Sequence, residues 1–169
     1  PIPVYPNVDS LRESCLNSGL EEDTWRCLAE MLFPDYLDAD GDAQLRKHQS
    51  VSLKVSLSSD LPNNPIGTAG SGSGKPESFL LPVCARILQE SQQWPDALNS
   101  GATWWSTGNL WSDDRAPENR TAAVRALMLY PTNALVEDQV TRLRRAVDSE
   151  GKLKDYLRGN KIYLSLIHI

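Results

Sequence analysis

Seven consecutive residues, Ala69-Gly70-Ser71-Gly72-Ser73-Gly74-Lys75, carry the clearest chemistry in this chain. A phosphate group needs several backbone N–H donors brought close together, and glycine permits backbone angles that a side chain would block. The helix predicted for the following residues would turn its positive end toward the anion. Lys75 then stands where an ammonium group reaches the β- and γ-phosphates of a nucleotide. A Gly/Ser run alone reads equally as a flexible linker. The Gly-Ser-Gly-Lys ending with an amphipathic helix directly after it favours a phosphate loop.

One residue departs from that chemistry. The position after the lysine should carry a Ser or Thr hydroxyl to coordinate Mg²⁺, and here it is Pro76. Proline is tolerated in the first turn of a helix but offers no metal ligand. No metal site is expected at this position. Nucleotide binding should be weakened and hydrolysis crippled, because the metal neutralises charge that develops in phosphoryl transfer.

The elements that must position this loop follow from periodicity. Residues 75–92 predict a helix, with Phe79, Leu80, Val83, Cys84, Ile87 and Leu88 on one broad face and a kink at Pro82. Residues 8–19 and 21–33 predict two short helices, the second stopped by Pro34. The acidic stretch 35–42 has the wrong spacing for a calcium loop and reads as a solvated turn. Val51, Leu53, Val55 and Leu57 alternate, which by itself predicts a strand. Residues 124–130 form an apolar run ending at Pro131, as a buried parallel strand would. A helix over 133–148 follows, with Thr132 in position to cap it. Between these lies a Gly/Asn/Asp/Ser-rich stretch, 93–122, carrying Trp94, Trp104, Trp105 and Trp111. The tryptophans read either as buried anchors for an excursion or as platforms on which bases stack. Arg115 and Arg120 alone supply positive charge there, which favours anchors.

Composition narrows the class. About 40% hydrophobic and 23% charged residues in 169 fit an ordinary globular chain. The net charge of −5 argues against a basic nucleic-acid coat, yet it is uneven. Residues 1–60 hold 11 acids and 5 bases, whereas residues 61–169 hold 11 acids and 12 bases. A polyanion would meet the second part more comfortably. Cys15, Cys27 and Cys84 are odd in number and widely spaced, so each reads as a small buried apolar residue in a reducing compartment. No apolar run approaches the length that spans a bilayer, and no signal peptide opens the chain, so no membrane partner and a cytoplasmic location are expected.

Three segments together resemble the first motor domain of the superfamily 2 DEAD/DEAH-box helicases. Gly67 to Pro82, with its Gly-Ser-Gly-Lys core, is similar to motif I. Arg125-Ala-Leu-Met-Leu-Tyr-Pro-Thr-Asn-Ala-Leu-Val-Glu-Asp-Gln139 is similar to motif Ia, in which a strand delivers a Pro-Thr turn to the nucleic-acid backbone. Leu45-Arg-Lys-His-Gln49 resembles the upstream glutamine motif, whose Gln reads adenine. The insertion and the Leu-Tyr-Pro-Thr-Asn-Ala-Leu wording are similar to large bacterial helicases such as those of the DISARM systems or the Lhr and YprA-like group.

That resemblance, which covers roughly residues 45–163, implies an α/β fold: a partial RecA-like parallel sheet flanked by helices, after a helical segment over 1–44. It also implies a helix, not a strand, over 48–58. Carried over by position, Gly70, Ser71, Gly72, Ser73, Gly74 and Lys75 would hold the phosphates of ATP, with Lys75 catalytic and Gln49 on the adenine. Pro131, Thr132 and Asn133 would lie along the backbone of DNA or RNA. From the residues alone, Gln49 also reads as a solvent-facing polar group and Thr132 as a plain helix cap. The implied activity is ATP-dependent unwinding or translocation, with ATP and Mg²⁺ as the family's cofactors and protein partners in a larger bacterial complex. The family's Asp-Glu motif is not in this chain, which implies a truncated motor that is inactive alone. The ending Leu164-Ser-Leu-Ile-His-Ile169 is similar to a translated sequencing adapter and reads as a non-native tail. Two rival readings remain at this point: a hydrolysis-deficient nucleotide-binding or interaction protein, supported by Pro76, and another phosphate-loop enzyme such as a small-molecule kinase.

Overall fold

Ser10 ends one element and starts the next. Asn7–Ser10 is strand β1, antiparallel to β2, Gln44–Arg46, with Asn7 opposite Arg46, Asp9 opposite Leu45 and Ser10 opposite Gln44. The register slips between Asn7 and Asp9, a bulge in β1. The chain then enters helix α1, Leu11–Leu16, whose N-cap is Ser10: its hydroxyl accepts from Glu13 N–H at 2.9 Å. The same hydroxyl donates to Asp42, whose other oxygen accepts from the N–H groups of Arg12 and Ala43 at 2.9 and 2.8 Å. Asp38 in turn accepts from Asp40 N–H and Asp42 N–H, each at 2.9 Å. The acidic stretch is therefore a turn that uses its carboxylates on backbone donors, as its spacing led one to expect.

The computed structural model describes residues 7–58, 64–68, 72, 74–97, 123–148 and 152–165. The chain divides into two units, residues 1–90 and residues 91–169. In the first unit, helix α2, Glu22–Leu32, buries Trp25, Cys27, Leu28, Ala29, Met31 and Leu32, and places Glu22 and Asp23 at its positive end. It stops at Phe33, ahead of a 3₁₀ turn over Pro34–Tyr36. Trp25 is buried with the guanidinium carbons of Arg12 and Arg26 at 5.6 and 5.2 Å from its ring centroid. Cys15, Cys27 and Cys84 are buried and in no disulfide, and burial pushes the Cys15 thiol up to about 12. The helix expected over 8–19 thus begins later than its apolar pattern suggests, because residues 7–10 pair with a strand more than thirty residues away.

Helix α3, Lys47–Leu57, occupies the alternating segment, as the resemblance implied and the alternation did not. Its buried residues are Gln49, Ser50 and Leu53, one helical face, while Val51 is 45% exposed. Helix α4, Lys75–Ser91, runs through Pro82 and buries Leu80, Leu81, Cys84, Ala85 and Leu88. Phe79, expected on that face, is exposed at 39%. Contacts that join α3 to α4 include the Ser52 hydroxyl donating to the Ser78 carbonyl and Arg86 donating to the Ser56 carbonyl at 2.9 Å.

The second unit holds helices α5, Asn133–Val147, and α6, Lys152–Tyr156. Arg158 follows α6 with a left-handed backbone, φ 51°. Its guanidinium donates to the carbonyls of Ser91, Gln92 and Trp94 and pairs with Asp96 at 2.8 Å. Asn160, buried, donates to the Pro95 carbonyl at 2.9 Å. Trp94 is buried at this clasp, with Arg125 over its ring at 5.5 Å, which is the anchoring role for that one tryptophan. Trp104, Trp105 and Trp111 lie outside the described residues.

One expectation needs correction. Residues 124–130 form no strand: Val124, Leu127 and Leu129 are 88%, 73% and 76% exposed. A parallel strand satisfies its N–H and C=O groups from its neighbours, and the described residues supply none beside this run. The parallel sheet is accordingly not seen, and the sheet among the described residues is the two-stranded antiparallel pair β1–β2. Among the described residues no helix is long and apolar enough to cross a membrane.

Candidate functional site

The β2–α3 junction positions the phosphate-loop residues of the first unit. Gln49 lies in the first turn of α3, where its side-chain oxygen accepts from the Arg46 N–H at 2.8 Å, the reaching-back half of a capping arrangement. That bond fixes the amide so that its nitrogen faces the loop, and it donates to the Gly74 carbonyl at 3.0 Å. Arg46 reaches the same loop with its guanidinium, donating to the Gly72 carbonyl at 3.3 Å. Gly72 and Gly74 each have φ 71°, the left-handed region. The positive φ favours glycine at 74, and an added Cβ would lie 2.6 Å from Gln49 Nε2 and 3.1 Å from Glu77 Oε2, so it would displace the Gln49 amide.

Lys75 opens the 17-residue α4 and is exposed. Pro76 and Glu77 follow in its first turn, half-buried. The two left-handed glycines, the exposed ammonium and the start of a long helix suit an anion. They do not suit a magnesium ion, because proline brings no oxygen to the position next to Lys75. Among the described residues no group of His, Cys, Asp or Glu could hold a metal ion. Gly70, Ser71 and Ser73, also expected in the loop, lie outside the described residues.

Gln49 is 5% exposed, and both ends of its amide bond to protein atoms. The solvent-facing reading of this residue fails. Sequence reasoning did not find Arg46 as a loop contact. Its place three residues before Gln49, on the same junction, was the available signal.

In the second unit, Pro131 and Thr132 are exposed at the start of the 15-residue α5. Thr132 occupies the N-cap position with extended angles, φ −140° and ψ 148°, yet its side chain makes no cap hydrogen bond. The hydroxyl expected as a cap is therefore not used as one. Asn133 begins the helix, and its side chain lies outside the description. Tyr130, just before, has its hydroxyl pKa raised by burial, with Arg142 pulling the other way. Arg144 and Arg145 sit in the last turn of α5, exposed, where cations suit the negative end of the helix.

The sequence comparisons bear on the same segments. A family model described as DEAD/DEAH box helicase matches residues 46–165. Druantia protein DruE of Escherichia coli (strain UMEA 4076-1) is 37% identical over 105 residues, 62% of this chain and 4% of that protein. The chain thus spans a very small share of the length of the relative it matches. No solved structure matches it. With its matched region beginning at the Arg46 that touches the loop and running past α6, the chain belongs to the DEAD/DEAH box helicase family.

Proposed function

We propose that this chain is the nucleotide-contacting front of an ATP-dependent helicase or translocase. In this reading, residues 45–163 form part of a RecA-like motor domain preceded by the segment 1–44, which carries β1, α1 and α2. The carrying observation is the Gln49–Gly74 hydrogen bond, which fixes a left-handed glycine directly before Lys75 and α4. Gly70, Ser71, Gly72, Ser73 and Gly74 offer backbone donors to the phosphates, and Lys75 offers its ammonium group. Bound ATP would supply the free energy of phosphoryl transfer. Gln49 would meet the adenine with the amide that now holds the loop, so base recognition and loop geometry share one side chain.

Pro131, Thr132 and Asn133 would lie against a DNA or RNA backbone, where an unspent hydroxyl and helix-start N–H groups bind phosphate without reading sequence. A cytoplasmic location and protein partners in a larger bacterial assembly go with this reading. Family membership favours it over an interaction protein that holds nucleotide without turnover, while Pro76 bears on turnover itself.

The test uses a longer protein carrying this segment, with Pro76→Thr to restore the hydroxyl. ATP hydrolysis should rise with added DNA or RNA and be abolished by Lys75→Ala. Turnover that is unchanged by Lys75→Ala would contradict the phosphate-loop assignment, and turnover indifferent to nucleic acid would contradict the motor.

A further inference from the structure

We propose that Arg46 is a positioning residue for the phosphate loop, holding the Gly72 carbonyl so that the loop keeps the shape a triphosphate needs. The proposal rests on the reading of this loop as a nucleotide site. Three observations carry it. First, both described contacts from side chains to loop carbonyls come from one turn of chain: Arg46 Nη1 to Gly72 at 3.3 Å and Gln49 Nε2 to Gly74 at 3.0 Å. Second, that turn is anchored, because Leu45 is fully buried in β2 and the Arg46 N–H is itself bonded to Gln49. Third, the two glycines differ in what surrounds them. A Cβ at Gly74 would strike Gln49 and Glu77, whereas one at Gly72 would meet nothing within 4 Å. Among the described residues the Arg46 guanidinium is thus a restraint on the Gly72 carbonyl, at a position with open space where a side chain would stand.

The direction of the restraint matters. In a trans peptide the C=O and N–H point to opposite sides. A carbonyl held toward the α3 junction leaves the N–H of its own peptide facing away from it. Applied at Gly74, this sends the Lys75 N–H away from Gln49, to the side where a phosphate would sit. Arg46 holds the Gly72 carbonyl toward the same junction. Without it, a glycine with no Cβ would sample more backbone states, and an anion would have to order it on binding. The guanidinium suits the task because it stays charged and offers several fixed donors.

Arg46→Met tests this by removing the donors while keeping an apolar stem and the backbone N–H that Gln49 uses. The 169-residue chain is titrated with ATP and with inorganic tripolyphosphate, and its thermal unfolding is recorded beside each titration. Positioning predicts that both ligands weaken by a similar factor, about tenfold for the loss of one charge-assisted bond, with little change in unfolding temperature. The loss should persist in high salt, since it is not a long-range charge effect. Arg46→Lys, which keeps the charge with a single ammonium group, should fall between and carries the test if the Met variant does not fold. Weakening confined to ATP would make Arg46 a base contact and overturn the proposal, as would unaltered affinity for both ligands. Lys75→Ala separates the two levels. If Lys75→Ala binds tripolyphosphate as the wild type does, or if neither binds, the nucleotide site itself falls. If Lys75→Ala loses binding and both Arg46 variants retain it, the positioning role alone falls.

Discussion

Gln49 Nε2 donates to the Gly74 carbonyl at 3.0 Å, and a Cβ on Gly74 would stand 2.6 Å from that same nitrogen. The absence of a side chain at residue 74 is therefore what lets the α3 amide close on the loop. Twenty-five positions separate the two residues, and the bond ties the start of α3 to the start of α4 through one buried side chain. It makes the shape of the loop depend on a group outside the Gly/Ser run.

Gly74→Ala should break that tie. The substitution places a Cβ in a left-handed conformation that costs roughly 1–2 kcal/mol, and it forces Gln49 off the carbonyl. Losing the hydrogen bond adds about 1 kcal/mol. Calorimetric titration should show ATP affinity reduced by at least about tenfold. Affinity equal to that of the wild type would mean that the tie does not shape the site.

Pro76→Thr should introduce metal dependence. With proline beside Lys75, ATP should bind with similar affinity in magnesium and in EDTA, because the position supplies no oxygen ligand. The threonine variant should bind more tightly in magnesium than in EDTA, by about tenfold if one ligand to the ion is restored. A wild-type chain that already loses affinity in EDTA would show that another group does the work of the missing hydroxyl.

Asp9 should make the first unit acid-sensitive. Its carboxylate accepts from the Ser50 hydroxyl and lies 3.4 Å from Lys47 Nζ, joining β1 to α3. The Ser50 bond, with Lys47 adding to it, holds the Asp9 pKa below the usual carboxylate range despite partial burial. A folded-state pKa below the unfolded one stabilises the fold above the unfolded pKa of about 3.9. That stability is lost as pH falls from there through the folded value. Asp9→Asn should cost about 1 kcal/mol at neutral pH through the weakened hydrogen bond. It should also flatten the stability profile below about pH 4. Urea midpoints at pH 7 and pH 3 measure both, and an equal loss at the two values would contradict the linkage.

Much of the site could be read from local pattern. A Gly-Ser-Gly-Lys run ahead of Phe79, Leu80, Cys84 and Leu88 predicts a loop feeding a helix, because glycine angles and a 3.6-residue apolar repeat are properties of adjacent residues. The helix after Pro131-Thr132 was legible for the same reason. What local pattern missed was set by pairing at a distance. Residues 7–10 look helical until a partner strand at 44–46 takes them, and the Ser10 hydroxyl starts α1 only after that pairing. In α3, alternating Val51, Leu53, Val55 and Leu57 mimic a strand, yet of these Leu53 alone is buried. Four residues are too few to separate a period of two from one of 3.6, so the resemblance succeeded where the alternation did not.

The run 124–130 shows the opposite failure. Its apolar residues predict a buried strand, but a parallel strand is defined by its neighbours and not by its own composition. Arg46 escaped notice because arginine beside a helix start usually marks nothing. Its contact with Gly72 depends on where a loop twenty-six residues later comes to rest.

The most direct test of the account is an isothermal titration of ATP into the 169-residue chain and into its Lys75→Ala variant, each with its melting curve. Lys75 is exposed, so the substitution should leave the fold unchanged. The wild type should bind weakly but measurably, with a loss of about tenfold or more in the variant, the size expected when a cation is removed from a phosphate site. Equal binding by the two chains, or none by a folded wild type, would contradict it.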